Sequence, residues 1–227
     1  IPFLIFMTIG PSTKWIKDNF KLINLRLILL FIVSIFLSYL ILNKTGSKGL
    51  FTTVLIGSSL YLLFITVKDF FNKNQINLSQ KISHFGFSLL ILSIIINGIF
   101  SSEVITNIKV GEKYRFKNGS IYFEKINSLK EKNYTSVVGT FKIQDKNKKE
   151  IYLKPELRIF NQPIIITSEA DIKTSFYSDK FLVMNLVKGN EFYNIRYQTK
   201  PFMIWIWLST ILLVIGGLVN FLNKERK

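Results

Sequence analysis

Among the side chains of this 227-residue sequence, His84 is the one best suited to hold a metal, and it is the only histidine. It stands in Lys81-Ile82-Ser83-His84-Phe85-Gly86-Phe87, at the head of a long apolar run. Imidazole is the commonest axial ligand of haem iron, and an ionisable group within a membrane helix marks a function by default. The alternative is an interfacial histidine bonded to water or to a loop carbonyl, because a polar side chain costs little near a helix end. Ser88 lies one helical turn further on the same face, so the two residues can together address a neighbouring helix or a cofactor. The acids Glu156, Glu169 and Asp171 form a second candidate group, with Glu169 and Asp171 two residues apart as on one face of a strand. Nothing near them in sequence completes an acid-base or metal site, so they are expected to be structural or interaction residues. There are no cysteines, which excludes disulfides, thiolate metal sites and a cysteine nucleophile. No phosphate-binding glycine loop is present, and no residue is assigned a catalytic role.

The element that must position His84 is a membrane helix. A helix needs about twenty mostly apolar residues to cross roughly 30 Å of hydrocarbon. Residues 22–42, 50–67, 82–100 and 202–222 meet or approach that length. Residues 1–10 are too short to cross alone and are stopped by Pro11; they are expected to be the end of an earlier transmembrane helix. The lysines and arginines of short loops set orientation. Lys14, Lys17, Lys21 and Arg26 precede or begin the first span, Lys68, Lys73 and Lys81 lie between the second and third, and Lys224, Arg226 and Lys227 end the chain. All three regions can face the cytoplasm, which puts the turn holding Lys44 and Lys48, and residues 101–200, on the other side. Arg26 can snorkel to the inner surface, and Trp205 and Trp207 fall where an outer aromatic belt belongs. Gly57-Ser58-Ser59 and Gly216-Gly217 are read as close-packing points between helices, not as a substrate path.

Between residues 103 and 198 the pattern changes to short runs of Ile, Val, Tyr, Phe and Thr separated by turn clusters. Strands are predicted at 104–110, 114–116, 121–126, 135–144, 150–153, 157–160, 164–167, 181–187 and 192–197, with a short helix possible at 168–175. Asn118-Gly119, Asp145-Lys146-Asn147-Lys148 and Lys188-Gly189-Asn190 suit antiparallel turns. The fold class read from the sequence is therefore an α-helical membrane protein plus an all-β domain. It has about four transmembrane helices and an antiparallel β-sandwich or barrel-like extracytoplasmic domain inserted before the last of them. The expected organisation is a helix end at 1–10, three transmembrane helices at 22–100, the β domain at 101–200, a C-terminal transmembrane helix at 201–222 and a cytoplasmic tail at 223–227. The net charge of +16 is partly that of a composition rich in Ile, Asn, Lys and Phe. Residues 101–200 carry eighteen Lys/Arg against eleven Asp/Glu, interleaved with apolar strand residues, which reads as a solvated basic surface and not as a nucleic-acid site.

The order of motifs carries more information than any single one. Pro2-Phe3-Leu4 before Gly10-Pro11, Ser83-His84-Phe85-Gly86, Asn133-Tyr134-Thr135 with Gly139-Thr140-Phe141, and Leu153-Lys154-Pro155-Glu156-Leu157-Arg158 with Thr167-Ser168-Glu169-Ala170-Asp171-Ile172 follow one another along the chain. Lys200-Pro201-Phe202, Trp205-Ile206-Trp207-Leu208 and Gly216-Gly217 close it. In that order they resemble the C-terminal region of the CcmF family of cytochrome c maturation proteins. Ser83 and Ser209 are mild departures from the family pattern. The resemblance implies a haem b held by two membrane-helix histidines, of which His84 matches the C-terminal one and serves as an axial ligand of the haem iron. The second histidine belongs to an earlier region of the family's chain, so this chain alone is not expected to complete the site.

The implied function is participation in a haem lyase complex that attaches haem covalently to apocytochrome c. The implied partners are the earlier part of CcmF, CcmH/CcmI-type subunits, a haem-loaded CcmE-type chaperone, apocytochrome c and the lipid bilayer. The implied location is a bacterial inner membrane with the β domain periplasmic, or alternatively a mitochondrial inner membrane. A reading from another class is a membrane-anchored scaffold that organises an assembly complex and binds no cofactor. A transporter fits less well, because no charge or proline interrupts the spans at mid-membrane.

Overall fold

Backbone polar groups have no partner in hydrocarbon other than one another, so apolar runs of this length close their hydrogen bonds as helices. The computed structural model describes residues 1–9, 25–45, 49–71, 77–146, 149–187 and 191–225. Gly10, Pro11, Lys14, Lys17, Lys21, Lys48, Lys73, Asn147, Lys148, Lys188, Gly189, Asn190, Arg226 and Lys227 lie outside the described residues, as do the side chains of Arg26 and Lys224. Helices occupy Pro2–Ile9 (α1), Leu25–Thr45 (α2), Leu50–Phe71 (α3), Leu78–Phe100 (α4) and Met203–Glu225 (α5). Of these, α2 to α5 are long and apolar enough to cross a membrane.

Two of the spans extend further than their apolar runs. The helix α3 continues to Phe71 and so includes Lys68 and Asp69, while α4 starts at Leu78, four residues before Ile82. The polar residues at the start of α4 are used in packing: the Ser79 hydroxyl donates to the Gly216 carbonyl of α5 at 2.7 Å. Small residues let the two backbones approach, as packing in lipid requires. A Cβ on Gly86 would lie 3.1 Å from the Ser209 carbonyl oxygen, and one on Gly216 would collide with Ser83. Since Gly86 meets Ser209 while Ser79 meets Gly216, α4 and α5 run antiparallel. On its other side α4 meets α3 through the Thr66 and Ser88 hydroxyls, 2.9 Å apart, and the edge-on rings of Phe70 and Phe85. The helix α2 joins α3 through Ser38, which donates to the Thr53 carbonyl, and Phe31 against Tyr61. The short α1 sets Phe3 edge-on to Phe87.

Residues Phe100–Pro201 form a separate unit. Its strands are β1 (Ser102–Ile108), β2 (Lys113–Phe116), β3 (Gly119–Lys130), β4 (Tyr134–Asp145), β5 (Glu150–Leu153), β6 (Glu156–Asn161), β7 (Ile164–Glu169), β8 (Asp171–Lys173), β9 (Ser178–Leu186) and β10 (Tyr193–Pro201). All pairings are antiparallel. One sheet has the order β1-β10-β9-β8 and the other β2-β3-β4-β6-β7, with β5 also on β4. Alternate residues of the two sheets meet in one core, with Ile108, Leu182, Met184 and Ile195 on one side and Ile121, Phe123, Phe141, Ile143, Leu153 and Leu157 on the other. This is a sandwich, the first of the two forms expected.

Two local expectations are corrected. The short helix at 168–175 does not form: Ser168 and Glu169 finish β7 against Leu157 and Glu156, and Asp171–Lys173 is a strand on β9. Only Ala170 separates them, so this is where the chain passes from one sheet to the other. The turn placed at Asn118-Gly119 is Lys117-Asn118, with Phe116 registered on Gly119. Gly119 already belongs to β3, where a Cβ would run into the Gln144 carbonyl oxygen.

Candidate functional site

His84 stands two turns inside α4, about 9 Å along the axis from its first residue at 1.5 Å per residue, and not at the helix end as its apolar run suggested. The side chain is half-buried and makes no hydrogen bond among the described residues. The Ser88 hydroxyl is fully buried, faces Thr66 and donates to the Phe85 carbonyl at 2.8 Å. Both residues are therefore turned toward α3, Ser88 onto Thr66 and His84 toward the level of Asp69.

An acidic residue of α3, Asp69, lies within electrostatic range of Lys68, His84 and Lys81. Sequence reasoning missed it, although one signal was present: Asp69 is the only acidic residue between Leu22 and Phe100. The crossing of Phe70 on Phe85 brings the two helix ends together at this level. Metal-bound histidines characteristically have a carboxylate or carbonyl on the ring nitrogen away from the metal, which fixes tautomer and orientation. A neutral imidazole without a hydrogen bond among the described residues has the chemistry to donate a ring nitrogen to a metal. A second imidazole cannot come from this chain, which has no second histidine. A cavity of about 480 Å³ lies between α3, α4 and α5, lined only by Leu63, Val67, Phe85, Leu89, Trp205, Leu208, Ile211 and Leu212. His84 does not line it, since one residue along a helix turns a side chain by about 100°.

The acids of the β unit are arranged differently from the expectation. Glu169 ends β7 and Asp171 begins β8, in different sheets, so they do not share one strand face. The Arg158 guanidinium reaches Glu156 at 3.1 Å and Glu169 at 3.6 Å. Hydrogen bonds from Arg158 and Ser136 hold the Glu156 carboxyl below the usual range for glutamate. Asp171 accepts from the Lys154 backbone N–H at 2.5 Å. No group of three or more His, Asp or Glu residues that could hold a metal occurs among the described residues.

Residues 99–201 match the family model described as the CcmF C-terminal beta-sandwich. The chain is similar to the C-terminal region of CcmF. The "Cytochrome c-type biogenesis protein CcmF" of Escherichia coli is 23% identical over 227 residues, covering 96% of this chain and 35% of that protein. "Cytochrome c-type biogenesis protein NrfE" of Haemophilus influenzae is 25% identical over 180 residues, covering 78% of this chain and 28% of NrfE. The solved structure of "Cytochrome c Heme Lyase CcmF" superposes with a TM-score of 0.72 at 18% identity, over 95% of this chain and 37% of that one. The fold is thus that of CcmF, and the chain spans about a third of the length of these relatives. Four of its helices are long and apolar enough to cross a membrane, as suits a multi-pass membrane protein.

Proposed function

We propose that this chain supplies one axial ligand, His84, to a haem b held jointly with the preceding region of a CcmF-type protein, and that its β unit receives the other components of a cytochrome c haem lyase. The observation that carries the reading is a lone, half-buried imidazole six residues into an apolar helix, with no hydrogen bond among the described residues. His84 does not line the apolar cavity, and a second histidine would have to come from outside this chain, which has one. When bound, haem b supplies a one-electron carrier that can keep incoming haem reduced for attachment to the Cys-x-x-Cys-His sequence of apocytochrome c. The chain's own part is to present the His84 nitrogen from α4, with the Asp69 carboxylate of α3 within electrostatic range of it. The β unit stands on the periplasmic side of the inner membrane, or the equivalent side in a mitochondrion, and the C-terminal tail in the cytoplasm. CcmH/CcmI-type subunits, a haem-loaded CcmE-type chaperone and apocytochrome c are its partners.

The test is co-expression with the preceding CcmF region, purification of the complex and reduced-minus-oxidised absorption spectroscopy. The wild-type complex is expected to show a haem b band that His84→Ala abolishes while complex assembly persists; an unchanged band in the variant overturns the assignment. A scaffold without cofactor is the second reading, favoured by the independent core of the β unit. It requires that His84→Ala leave cytochrome c maturation intact while removal of residues 101–200 stops partner capture.

A further inference from the structure

A strand with a partner on one side only leaves a row of N–H and C=O groups able to pair with another chain, and native sheets guard such edges with charge, proline or short length. Most edges of the β unit follow that rule. Glu103 lies in β1, Lys113 and Arg115 in β2, Glu150 in β5, and Asp171 and Lys173 in the three-residue β8. The strand β7 is different. It runs Ile164-Ile165-Ile166-Thr167-Ser168-Glu169, pairs with β6 alone and carries a charge only at its last residue. Pro163 stands in the turn before it and removes no N–H from the edge.

The isoleucines of β7 are uncovered: Ile164 is 83%, Ile165 49% and Ile166 50% exposed. Alternation puts Ile164 and Ile166 on one face of the sheet and Ile165 on the other. Ile164 and Ile166 share their face with Ser168, which is registered on Leu157 of the core. The opposite sheet reaches β7 there, where the Ser168 hydroxyl donates to the Asn185 side chain of β9, and it leaves the isoleucine end bare. On the other face Ile165 continues a row with Phe160 of β6 and Tyr134 of β4, whose ring centres are 5.3 Å apart. An added strand therefore gains apolar cover on both faces besides its ladder of hydrogen bonds.

We infer that β7 is a docking edge for an extended segment of another polypeptide, which adds to this sheet as an antiparallel strand. The segment sets apolar side chains against Ile164, Ile165 and Ile166 and polar ones against Thr167, Ser168 and Glu169. The backbone row calls for a strand, since neither lipid nor a helix can pair with the alternate N–H and C=O groups of an edge. A second copy of β7 fits poorly. Antiparallel about its midpoint, it sets Ile164 against Glu169, Ile165 against Ser168 and Ile166 against Thr167, apolar on polar throughout. Centred on Ile165, it matches isoleucine to isoleucine but draws Pro163, which has no N–H, into the ladder. The inference stands apart from the haem reading, because it uses no residue of the helical unit.

The probe is an end-blocked peptide, Lys-Thr-Thr-Val-Ile-Val, whose antiparallel order sets its lysine opposite Glu169 and its last valine opposite Ile164. A fluorescent form is titrated against the full chain in lipid nanodiscs, and hydrogen exchange is followed by mass spectrometry. The expected result is saturable binding with slowed amide exchange over residues 164–169 and no change over residues 102–108 of β1. The same peptide N-methylated at alternate residues on its pairing edge keeps its side chains and is expected to bind about tenfold more weakly, as lost ladder bonds require. Ile164→Lys, at a position open enough to keep the fold, should weaken binding about tenfold, while Ile172→Lys on β8 should not. Equal binding of the N-methylated peptide would reduce the contact to apolar adhesion and overturn the inference. So would the absence of saturable binding, or slowed exchange confined to other strands. A concentration-dependent dimer that Ile164→Lys dissolves would give the edge to a second copy and overturn it as well.

Discussion

Removing the Asp69 charge tests whether the carboxylate acts on His84 or only on the lysines around it. Partners one shell out from a metal ligand alter affinity by about 10–100-fold when lost. Asp69→Asn in the reconstituted complex is expected to weaken haem retention by that order and to raise the midpoint potential, because a negative charge near the ligand favours the oxidised iron. Potentiometric titration checks it, and a potential equal to wild type would confine Asp69 to its lysine contacts. The imidazole itself was legible from the sequence, being the lone histidine at the head of an apolar run. Its acidic neighbour was not, because Asp69 and His84 are fifteen residues apart in sequence and meet only when α3 and α4 pack. Ser88 was legible by helical spacing as sharing a helix face with His84, but its partner Thr66 on α3 became visible only with the packing.

Among the helices, the α4–α5 seam is the most sensitive to volume. Gly216→Leu must displace Ser83 and break the bond from Ser79, with an overpacking cost of about 1–3 kcal/mol. Thermal unfolding in detergent should register the loss, whereas Gly217→Leu, which meets no atom within 4 Å, should leave stability near wild type. Apolar run length was enough to find all four spans, but it ended α3 at residue 67 and began α4 at residue 82. Lysine, aspartate and serine look like loop residues in a one-dimensional reading, yet here they extend the helices and bond across them. The strands were legible wherever alternation ran for four or more residues. The three-residue β8 has too little pattern to show itself, and its place is decided by pairing with β9 across a change of sheet.

At the scale of the molecule, the chain divides into a helical unit that carries His84 and a β unit with a core of its own. The core of the β unit is complete within itself, so residues 100–201 produced alone are expected to fold as a monomeric sandwich with a cooperative thermal transition. Phe123→Ala, which empties a site of 0% exposure stacked on Phe141, should cost about 3–5 kcal/mol in that fragment. Failure of the isolated fragment to give a cooperative transition would mean that its fold depends on the helices. The pairing of Ser102 with Thr199 brings the two covalent links to the helices within about 5 Å, the spacing of adjacent strands. A graft follows naturally: a two- or three-residue bridge can replace everything between them, or a foreign hairpin-ended domain can be spliced in, while α4 and α5 keep their seam. In such swaps the cofactor chemistry and the choice of client would be inherited from different parents.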